Sequence, residues 1–310
     1  WKEANKRFDE YGNDKEVGTN GFYAMKAHWS EHPDRDQVWA DAEKARIGDE
    51  RFRREHECEF LIYDETLISS THLIDMEPQE PIEKTGQVRW FKRPTPGMTY
   101  MVSLDPAMGT GGDYAAIQVF ELPTFEQVGE WHHNTTPMNQ QVRILQSITK
   151  YLHDAIMEKD SSASPQIFYS MENNSIGEAA LLRVMDIGEE NIPGMFLSEP
   201  IRKGHRRKFR RGFNTTAKHK IDACTKFKEL VENNKMKINS HLLISELKDF
   251  VASGMSFSAK AGQHDDLVSS CLLMTRMIKT LADFDPKIFE KWTDRTSELA
   301  PMPIYGSFTG

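Results

Sequence analysis

The order of regular segments after residue 98 constrains this chain more than any other feature. TYMVSLD (99–105) is an apolar run that ends in an acid, and DPAMGTGGD (105–113) reads as a turn. YAAIQVFEL (114–122) and EQVGEWHHN (126–134) read as two further strands. An amphipathic helix is expected over 137–159, with Pro137 near its start. QIFYSME (166–172) is a strand that again ends in an acid, followed by a helix over 175–188 and a short strand over 194–198. A helix capped by Thr215 or Asn214 is expected over 215–233. Short strands over 236–239 and 255–260 flank a helix over 241–252, and a long helix over 264–284 closes the series. Three strands, a helix and then strand–helix alternation predict an α/β fold, a mixed central sheet flanked by helices.

The chain before this region differs. Residues 1–60 are polar, and 34–57 read as one charged helix whose apolar positions Val38, Ala42, Ala45 and Phe52 form a thin stripe. Residues 77–97 hold four prolines and two glycines and read as a linker. The expected division is therefore a small, mostly helical segment (1–75), a linker (76–98), an α/β domain (99–285) and a C-terminal tail (286–310). The first residue is Trp1, not Met, which suggests a fragment of a longer product. No signal peptide and no run of 18 apolar residues are visible, so neither secretion nor a membrane span is expected. Cys58, Cys224 and Cys271 are odd in number and far apart, fitting neither a disulfide framework nor zinc spacing.

Charge is concentrated. The formal net charge is -8, from 39 basic and 47 acidic residues. Nine of the nineteen residues from Arg202 to Lys220 are basic: Arg202, Lys203, Arg206, Arg207, Lys208, Arg210, Arg211, Lys218 and Lys220. Removing them leaves 30 basic against the same 47 acidic residues, so an acidic body carries one cationic segment. Gly204 and Gly212 make it a loop or hairpin more readily than a helix.

Three acids lie at the ends of regular elements: Asp105 and Glu172 at strand ends, and Asp266 in the first turn of the last helix, beside Asp265 and His264. If the two strands are neighbours, Asp105 and Glu172 come side by side. Carboxylates gathered that closely repel one another and need a cation to remain ionised. Oxygen-rich sites of this kind suit Mg²⁺ or Mn²⁺. A pair of such ions is the arrangement that hydrolyses phosphodiesters.

These residues carry a family resemblance. Asp105 in MVSLDPAMGTGGDYAAIQVF, Glu172 in IFYSMENNSIGEAALLRV and Asp266 in SGMSFSAKAGQHDDLVSS together resemble the nuclease domain of the large terminase subunit of tailed bacteriophages, the myovirus branch in particular. The resemblance spans roughly residues 60–285. It implies an RNase H-like fold, related to RuvC resolvases and integrases. It also implies a Mg²⁺- or Mn²⁺-dependent DNA endonuclease that cuts concatemeric double-stranded DNA during packaging. Asp105, Glu172 and Asp266 match the family's catalytic, metal-holding acids. Asp113 matches a supporting acid of the first motif, and Asp265 is a further candidate ligand. His264 is expected to start the helix. Asn173 and Asn174 either hold Glu172 or form a turn.

The family also has an ATPase motor ahead of the nuclease. No G-x-x-x-x-G-K-[ST] phosphate loop occurs here, so ATP is expected only as the ligand of a motor core absent from this sequence. Residues 51–76 resemble the passage leaving that motor. The implied partners are double-stranded DNA, the procapsid portal, the small terminase subunit and the motor domain of the same polypeptide. The implied location is the host cytoplasm, transiently at the portal. The basic segment suits sequence-independent phosphate contacts. Two other readings remain open: a Holliday-junction resolvase or integrase-like nuclease, and a non-catalytic portal-docking module.

Overall fold

A computed structural model describes residues 27–58, 66–174, 176–203, 206–254 and 256–284, with the side chains of 49–51, 54, 201–210 and 284 left out. Expectations that fall on residues 1–26, 59–65 and 285–310 lie outside the described residues. The chain divides into two compact units, residues 1–63 and 64–310.

In the first unit the single helix expected over 34–57 is two, α1 (Gln37–Ile47) and α2 (Asp49–His56). Gly48 separates them at φ 86°, a conformation only glycine takes without strain. Of the expected stripe only Phe52 is buried, Ala42 and Ala45 being exposed like Val38, and Ala40 is buried in their place. Val38 is 75% exposed, whereas Ala40 and Phe52 are fully buried. The unit is held by aromatic packing of Phe52 against Trp29, Trp39 and His56.

In the second unit, seven strands among the described residues form a mixed sheet in the order β1-β2-β5-β4-β3-β6-β7. They are β1 (Glu83–Thr85), β2 (Val88–Trp90), β3 (Thr99–Asp105), β4 (Ala115–Leu122), β5 (Glu126–His133), β6 (Gln166–Met171) and β7 (Met195–Phe196). The strands β3, β4 and β5 run antiparallel in sequence, and β6 returns parallel to β3. That return passes through α4 (Met138–Lys159), as a parallel connection requires. One face of the sheet buries Val102, Leu104, Ile117 and Trp131 with Val142, Leu145, Ile148 and Leu152 of α4 and Ala180 and Val184 of α5 (Gly177–Ile187). The other face carries α8 (Asp266–Phe284), backed by α6 (Ala217–Glu232) and α7 (His241–Asp249).

Four expectations are corrected. Residues 77–97 are not merely a linker, because β1 and β2 join the sheet and Trp90, 1% exposed, stacks on Tyr151 at 4.2 Å. The prolines flank this hairpin rather than enter it, and Gly86 makes its turn, so composition averaged over the window hid the apolar run VRWF. Residues 66–75, grouped by sequence with the N-terminal segment, bond to the second unit. Leu67 N–H donates to Phe250 O, and a helix α3 (Ser70–Asp75) offers His72 to Glu232 O. The strand expected over 236–239 is a single bridge from Lys237 to Glu126, because the Gln127 side chain takes up the Asn239 and Ser240 N–H groups. The helix over 241–252 also stops early: β10 (Phe250–Ser253) turns back on β11 (Ser256–Ala259). Among the described residues no helix is long and apolar enough to cross a membrane.

Candidate active site

The sheet places the first two acids. Adjacent parallel strands bring Leu104 opposite Met171, and the Glu172 N–H donates to Leu104 O at 3.1 Å. Asp105 and Glu172 therefore leave neighbouring strands at one level. Gly177 makes room for the turn after Glu172, since a β-carbon there would lie 1.9 Å from Glu172 O. Asn174 serves both roles foreseen for it. Its Nδ2 donates to Glu172 Oε2 at 3.3 Å, while its Oδ1 accepts from Ile176 and Gly177 N–H at the start of α5. Asn173 instead ties the strand end to the returning chain through Arg211 O and Phe213 O.

The third acid arrives on a helix. Ser103 and Ser270 are both fully buried, and each hydroxyl donates to the other residue's carbonyl, at 2.8 and 3.0 Å. Ser103 precedes Asp105 by two residues on a strand, and Ser270 follows Asp266 by four on a helix, so each pair shares a face. The close approach of two serines seats α8 on β3 and sets Asp266 over Asp105. Asp265 lies just ahead of the helix, and its carbonyl accepts the Ser269 N–H at 2.7 Å. Tyr114 N–H bonds to the Asp266 carboxyl, and His264 Nδ1 stands 3.7 Å from Asp266 Oδ2. Asp113 is exposed on the loop before β4, within electrostatic reach of Asp266.

The cluster is electrostatically loaded. Burial pushes the Asp105 carboxyl well above the usual carboxylate range, reinforced by the charge of Glu172, a hydrogen bond shared with it, and the charges of Asp266 and Asp265. Burial, then the neighbouring Asp265, pushes Asp266 up to about 6. Among the described residues the buried Asp266 Oδ2 finds no hydrogen-bond partner. Such hard oxygen donors, crowded and incompletely paired, fit a divalent ion. Among the described residues no three His, Cys, Asp or Glu side chains stand in a ready-made arrangement around one ion. Asp105 and Glu172 open into a cavity of about 200 Å³ that is also lined by Thr215, Lys220, Ser269 and Arg276.

Two contributors went unforeseen in the sequence. Arg276, on α8, donates to Glu199 Oε1 at 2.7 Å, Asn214 O at 3.1 Å and Thr215 Oγ1 at 3.2 Å, which fixes it as a rigid wall of the cavity. Thr215 and Asn214 are thus engaged here, and the cap of α6 is Thr216, whose hydroxyl accepts His219 N–H. Glu246, on α7, accepts the Leu267 and Val268 N–H groups at 2.9 and 3.1 Å and so caps the helix that bears Asp266 from outside. Burial raises it to about 9. A cap on a separate helix has no local sequence signal, which is why pattern reading passed over it.

The basic segment is the expected hairpin: β8 (Glu199–Lys203) pairs antiparallel with β9 (Arg206–Arg210), with Arg202 opposite Arg207 and Lys203 opposite Arg206. Lys208 pairs with Ile201 and Arg210 with Glu199 in the same register, while Gly204 lies outside the described residues. Arg211 forms an ion pair with Glu189. Lys218 is exposed, and Lys220 reaches Asp265 at 3.6 Å.

Known proteins share this fold. The profile of the terminase RNase H-like domain family matches residues 102–277, from β3 through most of α8. The large terminase nuclease of thermophilic phage G20c superimposes with a TM-score of 0.51 at 17% identity, covering 68% of this chain and 98% of that one. The same nuclease with bound magnesium gives 0.51 at 17%, covering 68% and 97%. With bound cobalt it gives 0.51 at 16%, again covering 68% and 97%. That span is more than half of the chain, and this chain belongs to the terminase RNase H-like domain family.

Proposed function

We propose that this chain is the nuclease domain of a viral large terminase subunit, a Mg²⁺- or Mn²⁺-dependent endonuclease that cuts concatemeric double-stranded DNA when packaging begins and ends. The observation that carries this reading is the gathering of Glu172, Asp265 and Asp266 around the half-buried Asp105, in a family whose G20c relative has been crystallised with magnesium and with cobalt. Asp105, Glu172 and Asp266 would hold two ions, with Asp265 and Asp113 in support. When bound, the ions would supply Lewis-acid stabilisation of the attacking and leaving oxygens.

The chain's own residues do the positioning. Asp105 and Glu172 stand on strand ends in a packed sheet, which limits their freedom before any ligand arrives. Glu246 and the Ser103–Ser270 contact hold the start of α8 so that Asp266 faces them. The hairpin of β8 and β9, with Lys218, offers phosphate contacts that align a duplex without reading bases, so low sequence preference and strong salt dependence are expected. The portal, the small subunit and a motor domain of the same polypeptide are the partners this reading assigns. Residues 1–60 are assigned to the end of that motor, and the site of action to the host cytoplasm at the portal. Steady ATP hydrolysis by this chain would count against that assignment, since it lacks a phosphate loop.

Plasmid digestion tests the reading. Supercoiled DNA should be nicked and linearised with Mn²⁺ or Mg²⁺ and left intact with EDTA. Asp105→Ala, Glu172→Ala and Asp266→Ala should each abolish cleavage while circular dichroism is preserved. Cleavage retained by two of the three would end the two-ion reading, and no cleavage by the wild type would favour a docking module. A strong preference for branched over linear duplex would favour a resolvase.

A further inference from the structure

The cavity at the acids has two cationic walls, and they are not alike. Arg276 is immobilised by three acceptors, its side chain only 11% exposed. Lys220 projects from the first turn of α6, and its ammonium lies 5.4 Å from the Phe250 ring centre. Among the described residues the ammonium makes no hydrogen bond; its acidic neighbour is Asp265 Oδ2, at 3.6 Å. It lines the same cavity as Asp105 and Glu172. A lysine is a flexible point charge with three donors, able to exchange one anionic partner for another, where a forked guanidinium on three acceptors is not.

We propose that Lys220 is a further catalytic residue of this site. Its ammonium balances Asp265 until a divalent ion enters, then transfers to a non-bridging oxygen of the scissile phosphodiester. This rests on the nuclease reading above and deepens it. The physical basis is competition. Asp265 cannot serve Lys220 and an ion at full strength together, and a cation some few ångströms from the ion repels it. A phosphate entering the cavity offers Lys220 a second anion. Lys220 would then stabilise negative charge on the phosphorus oxygens where that charge develops, which distinguishes it from the hairpin, whose contacts only hold the duplex.

The test uses Lys220→Met, which keeps an unbranched side chain of similar length and removes the charge, and Lys220→Arg, which keeps the charge. Calorimetric titration with Mn²⁺ alone reads the competition without any cleavage. Lys220→Met is expected to bind Mn²⁺ about fivefold more tightly than wild type, the order of a partly exposed charge pair, and Lys220→Arg about as wild type. At saturating Mn²⁺, single-turnover cleavage by Lys220→Met is expected to fall by about 100-fold with duplex affinity within about twofold, and Lys220→Arg is expected to recover part of the loss. Unchanged or weaker Mn²⁺ binding by Lys220→Met overturns the competition, and unchanged cleavage overturns the phosphate contact. Should the wild type bind Mn²⁺ and fail to cut DNA, the nuclease reading and with it the phosphate role fall, while the titration still decides the competition for Asp265.

Discussion

Ser103 and Ser270 bond to each other through both hydroxyls and both carbonyls, and this contact fixes the distance between the strand bearing Asp105 and the helix bearing Asp266. Side chains this small let the two elements approach closely. Ser270→Leu should therefore act at a distance from the chemistry. Overpacking a site this tight costs about 1–3 kcal/mol and would lift the start of α8. We expect a lower Tm together with a larger loss of Mn²⁺ affinity than the fall in Tm alone would produce, while Ser270→Ala should retain most of both. Thermal unfolding and Mn²⁺ titration of the two variants check this.

Charge removal at the acids should stabilise the fold as it destroys function. Asp105 is raised by burial and by the charges around it, so its ionised form is unfavourable in the folded state. Asp105→Asn should raise Tm in EDTA at pH 7.5, by a free energy on the order of 1 kcal/mol, the usual gain when a functional site is relieved of strain. A lowered Tm for this variant would show that the carboxylates are not in mutual repulsion.

The pH dependence follows in sign. Asp266 at about 6 lies above the ordinary 3.8, and Glu246 at about 9 above 4.5. Between those values the folded state holds protons the unfolded chain has released, so stability declines as pH rises through each window. Glu126 works the other way: it is lowered to about 2 against its own burial, by hydrogen bonds from Lys237, Lys92 and Asn239. Its stabilisation is present above 4.5 and is lost as pH falls toward 2. Calorimetry in EDTA should thus show Tm declining from pH 5 to pH 8, with a shallower decline in Asp266→Asn. Added Mg²⁺ should raise Tm more at pH 7.5 than at pH 5.

Glu246 should separate capping from charge. Glu246→Ala leaves two backbone donors at the start of α8 without their acceptor, at about 2 kcal/mol of stability. Glu246→Gln keeps an oxygen for them and should lose much less, since burial already favours the uncharged acid. Chemical denaturation checks the difference, and equal losses in both variants would mean the charge, not the cap, matters.

The hairpin should govern DNA affinity through salt. Replacing Arg206, Arg207, Arg210 and Arg211 by Ala should make the slope of log affinity against log salt shallower by ~0.9 per lost contact, alike for all duplex sequences. Since Arg211 is paired with Glu189, it should contribute least. Fluorescence anisotropy across a salt series measures this, and an unchanged slope would place the DNA path elsewhere.

The sequence by itself determined the local elements and where along them the acids fall. The strand over 99–105, the helix over 138–159 and the acids at Asp105, Glu172 and Asp266 were legible because apolar periodicity and acids at element ends are written into short stretches. The order of motifs also pointed to the family. Tertiary structure alone decided what meets what. Hydrogen bonding between β3 and β6 set Asp105 beside Glu172, and two serines 167 residues apart let α8 lie close enough to bring Asp266 over them. It also gave Arg276 its acceptors, Glu246 its helix to cap and Lys220 its place on Asp265. It drew 83–90 into the sheet against their proline-rich surroundings. The physical reason is one of range. Periodicity and turn chemistry act over a few residues, whereas burial and charge interact with whatever the folded chain brings near, however distant in sequence.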